Sequence, residues 1–191
     1  MSNFELLHNL IVHTALMEEL NELIVSKNLS WKYSNQICLT SMPGYEDNWH
    51  LGSGSLFYDW DTKREIVDDF GNKSVHIDPY ITPMYDRDFT ALCNVFKGTM
   101  FETVYDNVTK HYNVGRIRLI KSNPKTAMSW HVDDTIRLHY PIKTQEGCLM
   151  IINDEVKYLA ENLWWKTNTI NPHTAVNASN SDRIHLVVNV L

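Results

Sequence analysis

Two histidines and one aspartate in the C-terminal part of the sequence have side chains and a spacing that suit metal binding. His131 and Asp133 lie two residues apart, and His173 follows further along the chain. On a β-strand, residues two apart point to the same face, so His131 and Asp133 can reach one ion while Val132 packs behind and Asp134 points away. Two histidines and one carboxylate on one face of an octahedron leave three positions open, which is the arrangement of non-haem iron(II) oxygenases. The sequence therefore predicts that these three side chains bind a metal ion.

An arginine follows the second histidine at a short interval. Arg183 comes ten positions after His173 and opens the last predicted strand. A guanidinium group pairs with a carboxylate through two parallel hydrogen bonds and stays charged under all relevant conditions. The far carboxylate of 2-oxoglutarate requires such a partner if its other end chelates iron, so Arg183 is the predicted anchor for this cosubstrate.

Each of these signals also has a purely structural interpretation. His131 and Asp133 could form a buried hydrogen-bonded pair without a metal, and Arg183 could form an ion pair with Asp182 or Glu146. Arg116 and Arg118 alternate onto one strand face, where they could help to hold the cosubstrate or remain solvated.

A second His-x-Asp triplet competes with the first. It occurs at His76-Ile-Asp78, with His111 downstream and Lys121 ten positions after that histidine. We reject it because the segment between Asp78 and His111 is predicted to be largely helix and loop. The two halves of such a metal site must lie on facing strands, and strand-like segments fill the interval from Asp133 to His173.

The bulk properties are those of an ordinary globular protein. The chain has 191 residues and a formal net charge of −6, with 43% hydrophobic residues, which suits one domain and argues against nucleic-acid binding. Its three cysteines lie far apart and form no disulfide framework, so a reducing compartment is expected. The sequence has neither the roughly 18 consecutive apolar residues of a membrane span nor a signal peptide. These features predict a cytoplasmic protein without a membrane or nucleic-acid partner.

The N-terminal part is predicted to contain helices and a few strands. Ser2 and Glu5 fit a capping box that starts a helix, and apolar residues at helical spacing extend this helix to about Lys27. Further elements are predicted as strands over 36–41 and 55–60 and as helices over 86–96 and 99–111.

After Gly115 the sequence is a succession of short strands. The candidate strands are Arg116–Lys121, Ala127–Asp133, Ile136–Ile142, Cys148–Ile152, Val156–Ala160, Leu163–Thr167 and Arg183–Val190. Closely spaced strands joined by turns indicate a compact antiparallel sandwich or barrel. We therefore predict one mainly β domain with flanking helices (α+β) over residues 1–191. Residues 1–112 would supply helices and edge strands, and residues 113–191 a jelly-roll core with the metal site.

Several motifs in the core resemble those of a known enzyme family. They are Trp130-His-Val-Asp133, Ile136-Arg-Leu-His-Tyr-Pro141, Trp164-Trp165, His173-Thr-Ala-Val-Asn177 and Arg183-Ile-His-Leu-Val-Val-Asn189. Together they resemble the aspartyl/asparaginyl β-hydroxylase group of iron(II)- and 2-oxoglutarate-dependent oxygenases over roughly residues 112–191. Some animal members of that group lack the carboxylate ligand, and the presence of Asp133 is closer to its bacterial amino-acid hydroxylases.

The resemblance implies a fold, cofactors and residue roles. The fold would be a cupin-like double-stranded β-helix, with Fe(II) as the metal and 2-oxoglutarate and O2 as cosubstrates. His131, Asp133 and His173 would then be the catalytic metal ligands. Arg183 would bind 2-oxoglutarate, and Arg137 and His139 match a strand whose side chains face the cosubstrate or a substrate carboxylate.

The leading hypothesis is a dioxygenase that hydroxylates an amino acid, either free or within a peptide. One alternative is a cupin-like isomerase or hydrolase that uses a divalent ion as a Lewis acid. Another is a non-catalytic jelly-roll binding module in which the histidines and the aspartate only pack. The identity of the substrate and the oligomeric state are not determined by any motif in the sequence.

Overall fold

The computed structural model describes residues 2–56, 63–67, 70–77 and 83–191. In chain order its strands and α-helices are β1 (Phe4–Leu7), α1 (Leu16–Ser26), β2 (Gln36–Cys38), β3 (Thr40–Ser41), β4 (Lys63–Val67), β5 (Lys73–Ile77), β6 (Ala91–Leu92), α2 (Met100–His111), β7 (Val114–Ser122), β8 (Thr126–Ala127), β9 (Arg137–Lys143), β10 (Cys148–Ile152), β11 (Glu155–Lys157), β12 (Trp164–Thr167), β13 (His173–Asn177) and β14 (Arg183–Val190). No α-helix within these ranges is long and apolar enough to cross a membrane.

The strands β7 to β14 form a jelly roll of two antiparallel sheets. One sheet has the order β12-β9-β14-β7 and the other β11-β10-β13-β8. The chain therefore crosses between the sheets at every connection except the β10–β11 hairpin, which is the topology of a double-stranded β-helix. The predicted fold class is confirmed.

The N-terminal part enlarges and covers the first of these sheets. Strand β1 pairs with β12 and strand β2 pairs with β7, which gives a sheet of six strands. The helices α1 and α2 pack on the outer face of this sheet, and buried side chains from both helices and from β7, β9 and β14 form one hydrophobic cluster. The cluster encloses large aromatic side chains such as Phe101 and Trp164.

The six-stranded sheet has two faces of very different chemistry. On β7, Ile117 and Leu119 face the helices and belong to the hydrophobic cluster, so the intervening Arg116 and Arg118 point to the opposite face. Strands β9 and β14 follow the same alternation. The inner faces of β7, β9 and β14 consequently carry many charged and polar side chains, while the larger hydrophobic cluster lies under the helices. A smaller hydrophobic cluster is formed by Phe4, Met150, Ile152, Leu159 and Trp165.

The structure corrects the predicted helix over residues 2–27. Its first part is strand β1, because the backbone of this segment completes the edge of the sheet beside β12, and α1 begins only at Leu16. The Ser2 hydroxyl lies 3.0 Å from both the carbonyl oxygen of Phe4 and Oε2 of Glu155, to either of which it can donate its proton, and it caps no helix. The apolar spacing at the start of the chain comes from a strand followed by a loop.

Other predicted elements have mixed outcomes. Strands β10 and β14 have the predicted bounds, and α2 agrees with the predicted helix, with Thr99 as its N-cap. The segment 86–96, predicted as one helix, consists of two short 3-10 turns around strand β6. Of the predicted strand 55–60, residues 57–60 lie outside the described residues, as does Asp78 of the rejected triplet.

Gly115 provides a test of how closely the N-terminal part packs on the core. A Cβ atom at this position would overlap the carbonyl oxygen of Asp86, in the 3-10 turn beside β7. Gly115→Ala should therefore force the turn away from the sheet and lower the free energy of unfolding by about 1–3 kcal/mol. Urea unfolding measures the free energy of unfolding. The control is Thr103→Ala on the exposed face of α2, which should change this free energy by no more than about 0.5 kcal/mol. Equal midpoints for Gly115→Ala and the wild type would contradict this packing.

Candidate metal centre

A backbone bridge places two of the predicted ligands side by side. The amide of His131 donates to the carbonyl of His173 at 3.1 Å, and the amide of His173 donates to the carbonyl of His131 at 2.9 Å. The two imidazole rings consequently lie with their centroids 4.2 Å apart. His173 is the first residue of β13. His131 lies beyond the end of β8, and only Ala127 of the predicted strand 127–133 belongs to a regular strand.

Asp133 joins the two histidines from the segment that follows the bridge. Its amide donates to the carbonyl of Thr169 at 2.9 Å, which fixes its backbone next to the loop that leads into β13. Val132 is 61% exposed, so the prediction that it packs behind the site is wrong, and Asp134 is also exposed. The side chains of His131 and Asp133 nevertheless share one side of the segment, as the alternation requires.

The donor atoms of the three side chains form a compact cluster. One ligand atom from each of His131, Asp133 and His173 lies within 4.8 Å of the others, and the Nε2 atom of His173 is 3.4 Å from Oδ2 of Asp133. Metal ions are held by such N and O atoms at about 2.0–2.2 Å. Two imidazoles and one carboxylate on one side of an ion are the donor set that iron(II) takes.

Hydrogen bonds at the far side of each ring orient the two imidazoles. The Nδ1 atom of His131 lies 2.8 Å from the carbonyl of Ser129, and that of His173 lies 3.0 Å from the carbonyl of Asn171. A carbonyl oxygen only accepts, so each Nδ1 carries a proton, and a metal ion would displace any proton from Nε2 and take its lone pair. Metal-binding histidines are commonly fixed in this way.

Arg137 contacts the carboxylate of Asp133 with both arms of its guanidinium group. Its Nη2 donates to Oδ1 at 2.7 Å, and its Nε lies 2.5 Å from Oδ2. Burial alone would raise the pKa of Asp133, but the hydrogen bond from His173 and the charge of Arg137 outweigh it and lower the pKa to about 2. Asp133 is therefore ionised at neutral pH, as a metal ligand must be.

The cluster opens into a cavity of about 640 Å³ between the two sheets. Arg183 lines this cavity, is only 4% exposed, and has an Nε atom without a hydrogen-bond partner in the described part of the chain. Burial lowers its pKa to about 10, which still leaves it charged at neutral pH. The alternative of an ion pair with Asp182 or Glu146 is not found among the described residues, where Asp182 pairs instead with Lys121.

Two further histidines lie deep in the same region. His139 lines the cavity, and its Nδ1 atom is 3.4 Å from Nδ1 of His185. Burial, followed by the nearby charges of Arg183 and Arg137, lowers the pKa of His139 to about 3, so this ring is neutral. His139 thus lies where a cosubstrate could reach it, whereas His185 is absent from the cavity wall.

The structure also brings Arg116 and Arg118 into the cavity wall. Both are 4% exposed, so they are not the solvated charges that the sequence allowed as an alternative. The alternation of arginines along β7 was visible in the sequence. What the sequence lacked was any sign that both faces of this strand are buried.

One protein family and several solved structures are similar to this chain. The model of a protein family described as aspartyl/asparaginyl beta-hydroxylase matches residues 79–191. A search of curated proteins finds no match. Similar solved structures include a cupin domain from Bordetella pertussis, with 14% identity over 40% of this chain and 80% of that chain and a TM-score of 0.35. Another is an oxidoreductase of the 2OG-Fe(II) oxygenase family from Burkholderia pseudomallei, with 15% identity over 50% of this chain and 54% of that chain and a TM-score of 0.36.

Removal of either imidazole should abolish tight metal binding. His131→Ala and His173→Ala each delete one donor atom from the cluster, and we expect the affinity for Mn(II) or Co(II) to fall about 100-fold or more, since even residues that only orient ligands contribute 10–100-fold. Isothermal titration calorimetry measures the affinity, and circular dichroism verifies folding. The exposed His8 is the matched control, because His8→Ala should leave binding unchanged. Metal affinity equal to the wild type in either cluster variant would disprove the ligand assignment.

Proposed function

Because this chain belongs to the aspartyl/asparaginyl β-hydroxylase family, we propose that it is an Fe(II)- and 2-oxoglutarate-dependent dioxygenase that hydroxylates an amino acid, free or within a peptide. The observation that carries the proposal is the presence of two complementary features in one cavity. One is the His131, Asp133 and His173 cluster, and the other is the buried Arg183, which has no carboxylate partner among the described residues. An iron ion and a small dianion satisfy both features at once.

The proposed roles follow from the contacts of each side chain. His131, Asp133 and His173 would hold iron(II), and the hydrogen bonds of Nδ1 would keep the two imidazole rings oriented toward the ion. Arg183 would bind the far carboxylate of 2-oxoglutarate through its two-pronged guanidinium group. Bound iron, 2-oxoglutarate and O2 together supply the oxidising power for hydroxylation, with succinate and carbon dioxide as by-products.

The remaining cavity residues would position and shield the reactants. His139 is neutral and buried beside Arg183, so it can donate a hydrogen bond to an anion without adding charge. Arg137 holds the carboxylate of Asp133 in this structure, and its predicted contact with the cosubstrate stays a prediction. The walls between the sheets would exclude bulk water and hold one C–H bond of the substrate near the iron.

The two alternative functions fit the cavity less well. A metal-dependent isomerase or hydrolase would use the cluster but has no need for the buried guanidinium group of Arg183, which is unpaired among the described residues. A non-catalytic module would leave both the cluster and this charge without a partner, although burial of an unpaired charge is costly. We also propose that the chain forms one domain, because β1 and β2 extend the sheet of the core itself.

Succinate formation tests the proposed function directly. The purified protein, supplied with Fe(II) and 2-oxoglutarate under air, should produce succinate at a rate that increases when an accepted amino acid or peptide is added. His173→Ala should abolish this activity at all concentrations of 2-oxoglutarate. If the wild type neither turns over 2-oxoglutarate nor binds it in a metal-dependent way, the proposed function is wrong.

Arg183 should determine the affinity for 2-oxoglutarate. Arg183→Met leaves the far carboxylate without a partner in a buried site, where the loss of one member of a charge pair costs about 2–5 kcal/mol. We therefore expect KM for 2-oxoglutarate to rise about 30-fold or more, while metal affinity stays within about twofold of the wild type. The control is Lys166→Gln, which removes an exposed positive charge on β12 that pairs with Glu5. An unchanged KM in Arg183→Met would exclude Arg183 as the anchor.

A further inference from the structure

Among the residues that the structure describes, the cavity contains more positive charge than carboxylates neutralise. Four arginines line it, namely Arg116, Arg118, Arg137 and Arg183. Two of them have carboxylate partners, since Arg137 pairs with Asp133 and Arg116 lies 2.7 Å from Oδ1 of Asp86. In the part of the chain that the structure describes, Arg118 and Arg183 form no ion pair. A bound metal dication would increase this excess of positive charge.

Arg118 is the less expected of the two unpaired arginines. It is 4% exposed, and its Nη1 donates to Oε1 of Gln36 at 3.0 Å and to the carbonyl of Gly54 at 3.4 Å. Its Nε has no hydrogen-bond partner among the described residues. Burial, followed by the charges of Arg116 and Arg137, lowers its pKa to about 9, so Arg118 is still a cation at neutral pH. A buried cation with donors to spare requires an anion.

The strand register separates Arg118 from Arg183. Arg183 is paired with Ser122 on β7, whereas Arg118 is paired with Val187, four residues further along β14. Four residues correspond to about 13 Å along a strand. Arg118 is also close enough to Arg137 to feel its charge, whereas the pKa of Arg183 shows no such influence. Arg118 therefore lies on the side of the cavity near the Asp133–Arg137 pair, away from the proposed 2-oxoglutarate anchor.

We propose that Arg118 binds a carboxylate group of the hydroxylation substrate. The proposal rests on the proposed function, in which Arg183 serves 2-oxoglutarate and leaves Arg118 for the second reactant. Gln36, Ser34 and Ser55 line the same part of the cavity and offer polar side chains around this carboxylate. The carboxylate belongs either to the main chain of a free amino acid or to an acidic side chain of a peptide.

Comparison of acids with their amides tests the carboxylate requirement without any variant. The probes are the common free L-amino acids, their carboxamides, and end-capped peptides that contain Asp or Asn. Their binding to the wild type, loaded with redox-inert Zn(II) and 2-oxoglutarate, is measured by calorimetry. At least one carboxylate should bind ten times more tightly or better than its amide counterpart. If a free amino acid binds most tightly, the carboxylate that Arg118 binds is that of the main chain. If a capped Asp peptide binds most tightly, it is that of the side chain.

Variants at Arg118 test the residue itself. Arg118→Gln should lower the affinity for the preferred carboxylate at least tenfold and leave the affinity for its amide unchanged. The affinity of Arg118→Lys for the carboxylate should fall between those of Arg118→Gln and the wild type. Lys121→Gln, on the same strand but outside the cavity, removes an equal charge and should bind all probes like the wild type. Thermal unfolding verifies that each variant is folded.

Three outcomes would overturn the proposal. They are equal affinity for acids and amides, wild-type carboxylate affinity in folded Arg118→Gln, and no carboxylate probe that binds at all. Binding of Zn(II) and 2-oxoglutarate is recorded in the same experiments. If the wild type binds Zn(II) and 2-oxoglutarate but one of these outcomes occurs, the Arg118 site is wrong and the proposed function stands. If the wild type does not bind Zn(II) and 2-oxoglutarate, the proposed function itself fails.

Discussion

The backbone pairing of His131 with His173 is the constraint on which the candidate metal site depends. Its two hydrogen bonds join the end of the β8 segment to the start of β13, and a third, from Met128 to Ala175, extends the same pairing. Strand β13 lies between β10 and β8, so its position is fixed only when the four-stranded sheet is complete. The ligands are thus positioned by the closure of the jelly roll itself.

The two faces of the six-stranded sheet explain why the cavity is so strongly charged. Period-two alternation on β7, β9 and β14 puts aliphatic side chains under the helices, and the same alternation puts arginines and histidines inside the jelly roll. Burial of cations is costly unless they are paired. The protein offsets part of this cost through Asp86 and Asp133 and through the carbonyls of Gly52 and Gly54, which accept from Arg116. Arg118 and Arg183 have no carboxylate partner among the described residues, and this uncompensated charge favours the anionic ligands of the proposed function.

The sequence predicts the parts of this structure that depend on local pattern. Strand β14 is recognisable because its apolar residues alternate with residues such as Arg183 and His185. The His-x-Asp triplet predicts that its two side chains lie on the same side of an extended segment. Strand β1 could not be predicted, since only the edge of β12 makes the segment extended instead of helical. The contact between Asp133 and Arg137 was equally invisible, because an i, i+4 pair outside a helix depends on how the intervening chain turns. Burial of Arg118 depends on strand β2 and on the loop at Gly54, which lie far away in the sequence.

The contacts of the four arginines suggest a division of labour that residue type alone would not give. Arg116 fastens the loop at Gly52 and Gly54 to β7, and Arg137 orients the carboxylate of Asp133. Because Oδ2 of Asp133 also faces His173, an ion could take this oxygen while Arg137 keeps Oδ1. Both arginines are therefore occupied by the protein before any ligand arrives. Arg118 donates to Gln36 and Gly54 but, like Arg183, has no carboxylate partner among the described residues, and the two lie four residues apart along β14. In the proposed function, these two groups would serve the two anions, namely the dianionic cosubstrate and a carboxylate of the substrate.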